Sequence, residues 1–181
     1  MEKLRRFIWY LAGRLFLILA VVSMCVVTLY YAMNATNIYI VLKDGMAKRA
    51  QVIMMGESSA ELTKFFQGSY LQKDENLQLA IAGKSPYTYY TVRGIDHRLN
   101  MTWMWCWPWD STARVIFTES IPRIDGRVQS KNADAAKALY GESYESPPRW
   151  QAGKYTATLV KENGQWHIRS IALVEALKDG E

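Results

Sequence analysis

Chemistry-bearing side chains are scarce in this chain of 181 residues, which holds two cysteines and two histidines. Cys25, Cys106, His97 and His167 are too few and too widely spaced to assemble a zinc cluster, so no metal and no cofactor is expected. The chain also lacks a Gly-x-Ser-x-Gly nucleophile elbow, a Walker loop, a dinucleotide fingerprint and His-Glu-x-x-His. Gly83-Lys84-Ser85-Pro86 has neither the upstream glycine nor the following helix of a phosphate loop, and reads as a turn. A non-catalytic protein is the resulting expectation.

Net charge is also weaker than it first looks. Residues 1–33 hold Lys3, Arg5, Arg6 and Arg14 against Glu2, whereas residues 34–181 carry 18 basic and 16 acidic side chains. The larger part is therefore nearly neutral, and no nucleic-acid partner is expected.

What the sequence does contain is a long apolar run. Leu15 to Met33 is 19 residues without a charge, which at 1.5 Å per residue spans about 29 Å, the thickness of a bilayer's hydrocarbon core. Arg14 can snorkel to one interface, and Tyr30 and Tyr31 suit the other. By the positive-inside rule, residues 1–14 form a cytoplasmic basic N-terminus, residues 15–33 an integral single-pass anchor in the cell membrane, and the remainder lies outside. A cleaved signal peptide fits less well, because the run exceeds the usual apolar length of about 7 to 15 residues and YYAMNATN offers no small-x-small cleavage pair. A buried soluble helix would have to be apolar on every face. With Cys25 in mid-membrane and Cys106 outside, no intrachain disulfide can form.

Beyond the anchor, Ile38, Leu42, Met46 and Ile53 recur at helical spacing, with Lys43, Lys48 and Arg49 on the remaining surface, and predict a helix from Asn37 to Met55 that Gly56 ends. Ser58 and Glu61 have capping-box spacing, which predicts a second helix over Ser59 to Gln67 with Leu62, Phe65 and Phe66 inward. Strands are then expected near Leu77 to Ile81 and from Tyr87 to Trp105. In the second half of that stretch Ile95, Leu99, Met101, Trp103 and Trp105 alternate onto one face, opposite Arg98, Asn100 and Thr102. Pro108 turns the chain, and Ala113, Val115, Phe117 and Ile121 give the return strand an inward face ending near Ile124-Asp125-Gly126. Asp134 to Tyr140 suits a helical turn. Asn163-Gly164 marks a tight hairpin between Trp150 to Glu162 and Gln165 to Leu177.

This order, with ELTKFFQGSYLQKD, RLNMTWMWCWPWDSTARVIF and GKYTATLVKENGQWHIRSIAL as its carriers, resembles the nuclear transport factor two superfamily of cystatin-like cone folds. The resemblance covers residues 37–177. It implies an α+β fold in which one transmembrane helix precedes a cone of N-terminal helices on a curved antiparallel sheet. A single anchor before such a domain is similar to the bitopic assembly subunits of bacterial type IV secretion and conjugation systems, and to envelope and sporulation proteins of Gram-positive bacteria. A scaffold or assembly factor in a cell-envelope complex, with protein partners or a second copy of itself, is what the resemblance implies. The triplets Asn34-Ala35-Thr36 and Asn100-Met101-Thr102 match a glycosylation pattern but are discounted on this bacterial resemblance and on their positions.

Two regions are candidate sites. His97, Tyr155 and His167 could converge on a pocket in the cone, as a small-ligand or enzymatic domain would require. The run WMWCWPW is the other. Alternation assigns Trp103 and Trp105 to the core, while Pro108 throws Trp107 and Trp109 into the turn. There they could close the cone as a lid, bind a protein partner or touch the outer leaflet.

Overall fold

The computed structural model describes residues 2–177. Its backbone is organised by one helix, α1 (Glu2–Met55), whose 54 residues extend about 81 Å. Two patterns occupy this single rod. The large apolar side chains from Phe7 to Met33 are exposed on all sides, and α1 is the one helix among the described residues long and apolar enough to cross a membrane. From Asn34 onward the pattern becomes one-sided, with Asn34, Ile38, Leu42, Met46, Arg49 and Ile53 buried at intervals of three and four residues. Gly56, at φ +69°, ends the helix in the left-handed conformation.

Gly45 does more than weaken the helix. A Cβ there would lie 2.9 Å from Cβ of Phe65 and 3.2 Å from Cδ1 of Ile168, so the missing side chain lets those two side chains pack directly on α1.

The segment after α1 is shorter and tighter than its spacing suggested. Residues Ser59–Lys64 form a 3₁₀ helix with Ser58 as N-cap, accepting from the Ala60 amide at 3.3 Å. The capping box does not close, because Glu61 pairs instead with Lys48 at 3.1 Å and Lys64 at 3.2 Å. Leu62 and Phe66 are buried as expected, and Phe65 packs at the edge of the core. A short α2 (Gly68–Leu71) follows. The expected strand near Leu77 is a helix, α3 (Glu75–Ile81), nucleated by Asp74, whose carboxylate accepts from the Leu77 amide.

Ser85 caps another 3₁₀ turn, Pro86–Tyr89, before the strands begin. The stretch expected as one β region divides at Asp96-His97 into β1 (Tyr90–Ile95) and β2 (Arg98–Trp105). β1 pairs with β4 (Ile124–Val128) as a separate two-stranded sheet, so Ile124-Asp125-Gly126 opens a strand instead of ending one. The second sheet is antiparallel in the order β2, β3 (Thr112–Ser120), β5 (Gly153–Glu162), β6 (Gln165–Ala176). In sequence, α4 (Ala133–Tyr140) separates β4 from β5. Asn163 and Gly164, both at positive φ, turn β5 into β6 as their sequence requires.

The architecture is thus α+β, a long apolar N-terminal helix with antiparallel sheets of two and four strands. One core joins Ile38, Leu42 and Met46 of α1 to Val115 and Phe117 of β3, Ala157 and Leu159 of β5, and Ile168 of β6.

Candidate functional site

The β2–β3 hairpin lies along α1, with Glu119 at its open end beside Arg49 and its tip beside Asn34. The side-chain amide of Asn34 donates to the Pro108 carbonyl at 3.1 Å. Further down the helix, an apolar cleft of about 190 Å³ is lined by Val27, Thr28 and Tyr31 of α1 and by Trp105, Cys106, Trp107 and Pro108 of the tip. Burial pushes the Cys106 thiol up, with Asp110 adding to the effect.

The four tryptophans do not divide as strand alternation suggests. Trp103 and Trp105 are 45% and 51% exposed, so their assignment to the core is overturned. The cause is a bulge: Met101 pairs with Phe117 but Trp103 pairs with Ile116, leaving Thr102 as an extra residue. Below it the faces exchange, so Met104 and Cys106 point inward and the tryptophans outward. Trp107 and Trp109, at 45% and 71% exposed, continue the same surface, and neither lines the cavity between α1 and the sheet that a lid would cover.

The rings form a ladder. Trp103 stacks on Trp105 at 6.5 Å, Trp105 meets Trp107 edge to face at 5.2 Å, and Trp107 stacks on Trp109 at 5.3 Å. These are favoured aromatic geometries. Asp110 holds the turn: its carboxylate accepts from the Trp107 amide at 3.0 Å, and its own amide donates to the Trp107 carbonyl at 3.0 Å. The charge beside the tryptophans is therefore occupied in fixing the backbone.

A second concavity, of about 430 Å³, opens between α1 and the sheet, with Arg49, Tyr70, Glu119, Trp150 and Tyr155 among its walls. Glu119, 1% exposed, is held by His97 Nε2 at 3.0 Å. His97 points inward from the β1–β2 link, as its neighbours suggested. Arg49 is also buried, contrary to its expected surface position. Its Nη2 donates to Asp74 Oδ1 at 2.9 Å, its Nε bonds the other carboxylate oxygen, and its guanidinium lies over the Trp150 ring at 5.8 Å. Burial disfavours the guanidinium's charge, but Asp74 outweighs that and raises its pKa. Burial pushes the Tyr70 hydroxyl up to about 12, and raises Tyr155 too, with Glu119 adding to the rise.

Of the three residues expected around a pocket, Tyr155 lines the cavity and His97 reaches it through Glu119. His167 is not among the lining residues; it pairs with Val160 in the β5–β6 ladder, with its Nδ1 buried and without a hydrogen-bond partner. Sequence reading missed Asn34, Arg49 with Asp74, and Glu119. A signal existed for Glu119, which continues the alternation Ala113, Val115, Phe117 as a charged residue on an inward face. Among the described residues no group of three His, Cys, Asp or Glu could hold a metal ion. Comparison of the chain with family models, curated proteins and solved structures finds no match.

Proposed function

We propose that this chain is a single-pass membrane protein with its N-terminus in the cytoplasm, whose residues 37–177 form an extracytoplasmic cone-type domain acting as a non-catalytic scaffold or assembly factor in a bacterial cell-envelope complex. The continuity of α1 carries this reading. The helix passes without a break from exposed apolar residues into the domain core, so the domain cannot swivel on its anchor. A domain held in this way keeps a fixed orientation relative to its own membrane helix, which serves a subunit of an assembly. The bacterial envelope and the cone rest on the resemblance carried by the helical segment and two hairpins.

The edge of the larger sheet supplies a surface for partners. Its outer strand β6 ends with Leu173 and Val174 more than half exposed. Such an edge can add a strand from a second chain. A photoactivatable residue at Val174 in the full chain, irradiated in intact membranes, is expected to give an adduct with a neighbouring protein or a second copy. Recovery of the monomer alone would count against the scaffold.

A second reading, a small-ligand or enzymatic domain, is favoured by the cavity with the buried Glu119 at its wall and His97 bonded to that carboxylate. Under this reading His97→Ala abolishes ligand binding, whereas under the scaffold reading it leaves partner adducts unchanged.

A further inference from the structure

The tryptophan ladder has no role in the scaffold as described, and its position relative to α1 suggests one. Val27 precedes Asn34 by seven residues, about 10 Å along the helix, so the cleft between hairpin and helix lies alongside the last two turns of the apolar run. Trp105 and Trp107, which line this cleft opposite Val27, Thr28 and Tyr31 and remain about half exposed, face the same medium as that part of the helix. Tyr30 and Tyr31 are at this level too, also exposed.

We propose that the tip of the β2–β3 hairpin is a second membrane contact, with Trp103, Trp105, Trp107 and Trp109 lodged at the boundary between headgroups and acyl chains of the outer leaflet. The inference rests on the reading of α1 as a membrane span. Continuity with the apolar helix identifies lipid as the occupant, and tryptophan, with an apolar ring system and one N–H, is the side chain that favours that depth. Asp110 does not oppose it, because its carboxylate is bonded to the Trp107 amide. The contact selects depth over headgroup charge. Together with α1 it gives the domain two attachments, which fixes its tilt over the bilayer as well as its height. Trp107 and Trp109, expected as a surface for a protein partner, become part of this lipid contact.

The test uses the full chain in phosphatidylcholine vesicles whose lipids carry bromine either near the headgroup or deep in the acyl chain. In the Trp9→Phe variant, four of the six remaining tryptophans belong to the ladder. Shallow bromines are expected to quench roughly half of its emission and deep bromines distinctly less. A companion variant with the four ladder tryptophans changed to Phe keeps Trp9 near the start of α1 as a reporter of the anchor. Quenching of Trp9 without quenching of the ladder would overturn the proposal and leave the anchor standing. If neither is quenched, both fall together. Should the ladder variant misfold, a photoactivatable residue at Trp109 in the otherwise native chain decides the matter: a lipid adduct supports the contact, and a protein adduct or none contradicts it.

Discussion

The side-chain amide of Asn34 donates to the carbonyl of Pro108 across 74 positions of sequence, joining the first residue after the apolar run to the apex of the tryptophan hairpin. Asn34 is buried, and this bond ties the end of the apolar segment of α1 to the tip of the hairpin.

Asn34→Ala is expected to cost about 1 kcal/mol of stability, the usual worth of a neutral hydrogen bond. The local consequence is easier to read. Amide hydrogen exchange should accelerate at Trp107 and Asp110, whose turn loses its tie to the helix, and remain unchanged at the Asn163-Gly164 turn.

Gly45→Ala distinguishes helix propensity from packing. Alanine in a helix interior ordinarily gains about 1 kcal/mol over glycine. Here the new methyl would meet Phe65 at 2.9 Å, so overpacking of about 1 to 3 kcal/mol should prevail and lower the thermal midpoint of the detergent-solubilised chain. A raised midpoint would show that α1 does not approach Phe65 and Ile168 so closely.

The buried pair of Arg49 and Asp74 ties α1 to the start of α3, and Asp74 also accepts from the Leu77 amide. Arg49→Ala leaves a carboxylate buried without its partner and should cost about 3 to 5 kcal/mol. Adding Asp74→Asn removes the uncompensated charge while keeping an N-cap acceptor. The double variant is therefore expected to be more stable than Arg49→Ala alone, by chemical denaturation of the folded domain.

Burial raises the hydroxyl pKa of both Tyr70 and Tyr87 to about 12, from about 10 in the unfolded chain. Between pH 10 and 12 the unfolded state binds fewer protons, so stability is full below pH 10 and falls as pH rises, by up to about 3 kcal/mol for each tyrosine. A phenolate absorbance titration should show these two among the last of the eleven tyrosines to ionise, and Tyr70→Phe should remove one late step.

Periodicity over long elements was readable before the structure: the apolar run of α1, the helix to Met55, the inward face Ala113, Val115, Phe117, and the turn at Asn163-Gly164. Errors arose where one local event changes the reading of everything after it. The extra residue at Thr102 exchanges the two faces of β2, and no feature of RLNMTWMW announces it. Leu77 to Ile81 is short enough to suit either strand or helix, and its state is decided by the Asp74 cap held from α1. Arg49 looked like a surface charge because its partner is 25 residues away. His97 could be aimed inward from its neighbours, but its bond to Glu119 depends on a pairing between strands that local spacing does not encode.

Cysteine labelling in intact cells tests most directly the claim that one helix carries the chain from the membrane into the core of an outer domain. Lys3→Cys and Lys131→Cys, each in a background with Cys25→Ser and Cys106→Ser, place a single thiol on either side of the proposed span. A membrane-impermeant maleimide is expected to label position 131 on intact cells and position 3 only after permeabilisation, with the protein resisting alkaline extraction. Labelling of position 3 from outside, protection of position 131, or release of the chain by alkaline extraction would contradict it.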